Sequence, residues 1–288
     1  MSGLRSFARA FAFGLGATSL ARSVLATRAP GGEQRWARSS HDGTAVSLLE
    51  GPAVTVGLAS GILGNARCNA ECITSRQTIG AVIAITGAGL FGMHDDLSEN
   101  PAAVSKGLKG HFAAARHGEL TTGFIKILGI GATALLAAAI GANASDDKEQ
   151  HSAGTILNIL INAALIAGTA NLLNLFDLRP GRALKVALLL SALPAHGEIA
   201  ATSTGAILGA SAAAAPADLR GDDMLGDGGA NTLGALVGIR LAFGWPQKAR
   251  LAALAAVMGL TLASEKVSFT KVIANNRYLN AIDQLGRV

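Results

Sequence analysis

Long apolar runs recur along this chain and constrain it more than any other feature. A helix needs about 20 mostly apolar residues to cross about 30 Å of hydrocarbon. Runs approaching that length lie near residues 8–27, 48–65, 79–94, 122–142, 155–175, 183–197, 199–216, 229–244 and 249–264, nine in all. They are continuous, as in "TALLAAAIGA", and lack the polar alternation of a membrane barrel, so they read as helices. Composition agrees: the chain is half hydrophobic, 15% charged, with a mean hydropathy of +0.40. Lipid is therefore the solvent for most of it. The expected fold is all-α, a polytopic membrane helix bundle of about nine transmembrane helices. A single integral membrane domain spans 1–288, in which 1–47 supplies the first span and a basic loop and 265–288 a tail.

The first segment, "MSGLRSFARAFAFGLGATSLARSVLATRA", has the basic start and short apolar centre of a signal peptide, yet reads better as a retained helix. Arg9 and Arg22 make it the weakest span. Abundant Gly and Ala suit close approach between membrane helices.

Basic residues set the orientation. Arg28, Arg35 and Arg38, then Lys106, Lys109 and Arg116, then Arg179, Arg182 and Lys185, and finally Lys266, Lys271, Arg277 and Arg287 fall on one side of a nine-span count. That side is expected to be cytoplasmic. The opposite loop "NASDDKEQH" is net acidic, although Arg67, Arg76, Lys248 and Arg250 lie near the same outer face. The formal charge of +5 does not point to nucleic acid, because these cations sit beside membrane segments, where they meet anionic lipid or phosphate. Cys68 and Cys72 share a predicted outer loop, as a disulfide or as two free thiols, and no zinc spacing accompanies them.

The acidic residues carry the chemistry. "ITGAGLFGMHDDLSEN" runs from an apolar stretch into Asp95 and Asp96 at the cytoplasmic end of the third span. Asn171, Asn174 and Asp177 stand at i, i+3 and i+6, on roughly one face at the end of the fifth span. Asp227 lies in "GDDMLGDGGANTLGALVG", just before the eighth. Carboxylates at a membrane edge are costly unless solvated, paired or bound to a cation, so three chain-distant sites on one side mark a functional centre. Magnesium suits them, because it takes oxygen ligands and is held by one or two carboxylates plus substrate phosphates. Gly226, Gly228 and Gly229 flank Asp227 at a helix start, where backbone amides can face an anion.

In that order, "FGMHDDL", "KGLKGHF", "NLLNLFDLRPG" and "GDGGANTLGALVG" resemble the motifs of the polyprenyl-phosphate N-acetylhexosamine-1-phosphate transferases, over about residues 48 to 275. That family includes the phospho-N-acetylmuramoyl-pentapeptide transferase of peptidoglycan synthesis. The resemblance implies a magnesium-dependent reaction at the cytoplasmic face of the plasma membrane: a polyprenyl phosphate attacks the β-phosphorus of a UDP-sugar and UMP leaves. It implies that Asp95 acts as base toward the lipid phosphate, with Asp96 its acidic neighbour and a magnesium ligand. Asp227 resembles the principal magnesium ligand. Asp177 joins the catalytic acids, and Asn171 and Asn174 lie beside the nucleotide. Lys106, Lys109, Arg179, Arg182 and Gly228 are expected to bind substrate.

Two departures stand out. Pro180 occupies the position of the acid that helps bind uracil in the family, and "ASEKVSFTKVIANN" lacks the expected histidine-rich loop. Two other readings remain open: a member that has lost catalysis and serves as a lipid-phosphate-binding scaffold, and a cation-coupled transporter. Against the transporter, the sequence has no internal repeat and its acids lie at helix ends. A homodimer is left open.

Overall fold

The computed structural model describes residues 2–39, 43, 45–68, 75–98, 110, 114, 116–142 and 152–287. The expected outer loop with Cys72, the acidic stretch 143–151, and Lys106 and Lys109 all lie outside the described residues.

Among these, helices dominate, as apolar runs without water for backbone partners require. In chain order they are α1 (Ser2–Thr27), α2 (Glu50–Cys68), α3 (Arg76–Ser98), α4 (Thr122–Gly141), α5 (Ser152–Phe176), α6 (Arg182–Ala192), α7 (Glu198–Asp218), α8 (Gly226–Gly244), α9 (Gln247–Ser264), α10 (Phe269–Asn275) and α11 (Arg277–Gln284). Five of them, α1, α3, α4, α5 and α7, are long and apolar enough to cross a membrane. A sixth is reached if α9 and α10, bent by 97°, count as one broken span. The expected span at 183–197 is helical only through Ala192. At 1.5 Å per residue α6 covers roughly half of the hydrocarbon core, so it does not cross as one straight helix.

The helix α8 is the axis of the bundle, buried along nearly its whole length and packed against α5, α3, α2 and α7. Small residues permit this. A Cβ at Gly234 would overlap the Thr169 carbonyl, and one at Gly238 the Thr169 hydroxyl, so a GxxxG stripe seats α8 directly on α5. The helix α1 packs against α7 and α2, with the Gly14 position 2.9 Å from the Ala206 carbonyl, and Ser6 donates to Glu198 at 2.9 Å. This segment packs as a helix of the bundle.

Helix ends sort onto two sides. On one, Gly181 N–H donates to Asp218 at 3.0 Å, Arg22 pairs with Asp223, and Met224 N–H donates to the Ser47 carbonyl at 2.9 Å. On the other, His196 N–H donates to the Gly244 carbonyl at 3.0 Å and Arg76 to the Ala142 carbonyl at 3.2 Å. The basic loop after α1 was not expected to be ordered by strands. It forms a short antiparallel hairpin, β1 (Ala37–Ser39) with β2 (Ala45–Ser47), and Ser47 bridges to Asp223.

Candidate functional site: an acidic end closed by one lysine

The helices α3 and α8 meet where both are glycine. A Cβ at Gly92 would overlap the Asp227 carbonyl, and one at Gly228 would come within 2.6 Å of Met93. Gly226, with φ at +61°, turns the chain into α8 in a conformation that other residues rarely adopt. This close approach brings Asp96 over the amino end of α8, where its two carboxylate oxygens accept from the backbone N–H groups of Asp227 and Gly228, each at 2.9 Å. A negative charge there answers the helix dipole and its free donors. The duty the geometry gives Asp96 is thus to fix α8. Arg38 donates to the Asp96 carbonyl and ties the hairpin to the same corner.

Asp95, one residue earlier, points elsewhere. It is 7% exposed and lies 2.5 Å from the Lys126 ammonium, which also pairs with Asp227. Lys126 stands one turn into α4, whose start is capped by Thr121 accepting from Phe124 N–H at 3.2 Å. Asn231, one turn along α8, donates to the Asp227 carbonyl at 2.7 Å. One ammonium stands between two carboxylates, so the triad's formal charge with both ionised is −1.

More negative charge lies behind it. Asp177 follows the last turn of α5 and is 3% exposed, with Oδ2 lacking a hydrogen-bond partner. Burial pushes its carboxyl well above the usual carboxylate range, and Asp218, Asp96 and Asp227 push the same way. Glu50, at the start of α2, is fully buried with neither oxygen hydrogen-bonded. Asp218 holds the Gly181 N–H with one oxygen and leaves the other without a partner.

Beside the triad, a groove of about 310 Å³ runs between α4, α5, α8 and α9. Lys126, Asn171 and Asn231 form its polar end, while Ile130, Val257 and Met258 line the rest. Met258 is 54% exposed, so the groove opens at the apolar flank of the bundle.

The expected site residues divide accordingly. Asp95, Asp227 and Gly228 meet Lys126 and Asp96 directly, Asn171 lines the groove, and Asp177 lies behind. Asn174, half-buried, contributes its carbonyl to the Asp177 N–H at 3.1 Å. Arg179 is half-buried on the turn between α5 and α6. Arg182 differs from the expectation of an open phosphate ligand. It is 3% exposed and grips Asp283 with Nε at 2.7 Å and Nη2 at 3.0 Å, while Nη1 donates to Thr270 at 3.0 Å. Its planar fork is filled by the tail.

Lys126, Asn231, Glu50 and Asp218 were missed from sequence. Lys126 did carry a signal, as a lone cation inside the apolar run "GFIKILGIG", and Glu50 directly precedes another such run. Asn231 and Asp218 had none.

Among the described residues no three carboxylate, imidazole or thiol side chains converge as a metal cage. The expected magnesium pair, Asp96 with Asp227, is not assembled, because both Asp96 oxygens are taken by the amides of α8, including the Gly228 amide expected to bind substrate; Asp227 converges instead with Asp95, on the Lys126 ammonium, which occupies the cation position between them. No protein-family model matches the chain, and no curated protein is significantly similar to it.

Proposed function

We propose that the chain transfers a sugar-1-phosphate, of N-acetylhexosamine type, from a UDP-sugar to a polyprenyl phosphate at the cytoplasmic face of the plasma membrane, releasing UMP for cell-wall glycan synthesis. The observation that carries this reading is the Asp95–Lys126–Asp227 triad at the polar end of an apolar groove. An amphiphile with a phosphate head and a long hydrocarbon tail matches both halves of that site. In the nine-span topology the N-terminus lies outside and the acidic end inside, where nucleotide-sugars are found.

In this reaction a lipid phosphate oxygen forms a bond to the β-phosphorus, and the bond from that phosphorus to the bridging oxygen breaks. UMP leaves with the bridging oxygen. Magnesium, when bound, supplies charge neutralisation on the pyrophosphate. Lys126 meets the incoming phosphate, and Asp95 takes the residual proton of a phosphate monoester whose charge near neutral pH is about −1.5 to −2. Asp96 holds the amino end of α8 so that the Gly228 amide and Asp227 keep their positions. The work is alignment and charge balance, which needs no Ser or Cys nucleophile.

The test is incubation of purified protein with polyprenyl phosphate, magnesium and a panel of nucleotide-sugars, followed by detection of UMP and lipid product. Magnesium-dependent UMP release that requires the lipid is the expected result. Lipid binding without turnover turns the reading to a scaffold, and cation flux in proteoliposomes without product turns it to a transporter.

A further inference from the structure

The tail beyond α9 is built unlike the rest of the bundle. After Ser264 the chain bends by 97° into α10, so α10 lies nearly perpendicular to the apolar helix it follows. Phe269 stacks on Phe176 with ring centroids 5.1 Å apart, which anchors α10 under the end of α5. Asn276 caps α11 by accepting from Tyr278 N–H and Leu279 N–H, each at 3.1 Å. One face of α11 turns inward through Asp283, held by Arg182, and Lys185 donates to its carbonyl at 2.6 Å. Arg287 donates to the Pro180 carbonyl at 2.9 Å.

Among the described residues nothing covers the other face. Tyr278 and Ile282 share one side of α11, with Leu279 at its edge and Leu285 just past its end, and Tyr278, Ile282, Leu285 and Leu279 are 77%, 46%, 71% and 44% exposed. Val267 and Val272, between α11 and the exposed Leu262 at the end of α9, are exposed apolar residues of the same segment. Lys266, Lys271 and Arg277 are exposed along the same segment. An apolar face bordered by cations, set across the end of a membrane helix, is the pattern of a helix lying in the headgroup layer.

We propose that residues 265–287 form an interfacial anchor whose apolar face enters an anionic lipid leaflet, with Asp283 clamping that anchor to the turn at Pro180–Arg182. The partner is the lipid surface, independent of any catalytic activity. It deepens the membrane reading and holds whether or not the chain is a transferase.

Depth-resolved quenching tests it. The full chain, with Cys68→Ser and Cys72→Ser, receives Tyr278→Cys, Leu285→Cys or, on the opposite side of α11, Gln284→Cys. Each is labelled with an environment-sensitive fluorophore in nanodiscs of phosphatidylglycerol or phosphatidylcholine brominated near the headgroup end of the acyl chain. Labels at 278 and 285 should be quenched at least about twofold more than the label at 284, as burial to about 5–10 Å at the boundary requires. The difference should be larger in phosphatidylglycerol, and Lys266→Gln with Lys271→Gln and Arg277→Gln should remove that lipid preference. Equal quenching at the three sites, or none at 278 and 285, overturns the proposal. Cross-linking between copies through Tyr278→Cys without quenching overturns it in favour of a second copy of this chain.

Discussion

Two buried ion clusters sit at the same end of the bundle with opposite balance. At the groove, one ammonium, Lys126, serves two carboxylates. At the tail, one carboxylate, Asp283, serves the guanidinium groups of Arg182 and Arg287, with Lys185 on its backbone carbonyl. The tail clamp engages both Asp283 oxygens and the Arg182 fork, although its cations outnumber the carboxylate and Arg287 Nη2 makes no hydrogen bond. The groove cluster differs in opening onto the apolar groove through Lys126, with the buried Asp177 behind it carrying an oxygen without a partner. A closed cluster holds structure together, whereas an open one is completed by a cation or by a charged substrate.

The largest expected effect separates them at Asp227. Asp227→Asn keeps the side chain's shape and brings the triad's formal charge from −1 to zero, with Lys126 still paired to Asp95. Fold and expression should therefore be preserved. Loss of a charged ligand should remove several kcal/mol of transition-state stabilisation, so turnover should fall by roughly a hundredfold or more. Raising magnesium should restore part of it. Unchanged turnover in purified Asp227→Asn protein would show that the open cluster is no catalytic centre.

Asp283→Asn should give the reverse pattern. It leaves Arg182, Arg287 and Lys185 crowded together without their carboxylate, a loss of about 3 kcal/mol for a broken buried pair. The thermal midpoint in detergent should drop while turnover per folded molecule stays within a few-fold of the parent. A variant equally stable but inactive would reverse the two assignments.

Acid should open the tail before it touches the core of the bundle. Burial alone would raise the Asp283 carboxyl, but the hydrogen bond and charge of Arg182, with Arg287 and Lys185, outweigh it and hold the group below its ordinary value. Its contribution is therefore fully present above the unfolded value of about 3.9 and is lost as the pH falls through the lower folded value. Hydrogen exchange of α11 should be flat from neutral pH to about 5 after correction for the intrinsic rate and should rise below about 4. A rise near pH 6 would mean that another group governs the clamp.

The contrast also explains what could be read from sequence. Apolar run length located the helices, and adjacent Asp95 and Asp96 at a run's end pointed to the buried acidic end of the bundle, because charge next to hydrocarbon is costly wherever the chain goes. Run length did not reveal that 183–197 is interrupted: Leu193 leaves the helix and Pro194 and Gly197 keep the chain from continuing it, although Gly181 and His196 lie at opposite ends of the bundle. Pairings across the bundle were hidden. Asp95 and Asp96 look equivalent in sequence, but one turns to Lys126 and the other to the amides of α8, a division set by Gly92 and Gly228. Arg182 looked like a phosphate ligand because its partner stands 101 residues away.

The smallest expected effect concerns the turn that joins the two clusters. Pro180 stands where the resembled family places an acid that contacts uracil, and its carbonyl accepts from Arg287 while the Gly181 N–H is held by Asp218. The turn thus offers the base no side-chain acceptor of its own at this position. Sites that hydrogen-bond a substrate group reject its analogues by several orders of magnitude, whereas sites that only enclose it discriminate far less. Competition by UMP, CMP and GMP against the nucleotide-sugar should therefore give inhibition within about tenfold of one another, a spread of about 1.4 kcal/mol. Asp283→Asn, which frees Arg182 and Arg287 beside the turn, should tighten all three through the phosphate without changing their order. Strong inhibition by UMP alone would mean that another group reads the base, and Asp218, whose second oxygen is buried without a partner beside Gly181, would be the residue to change next.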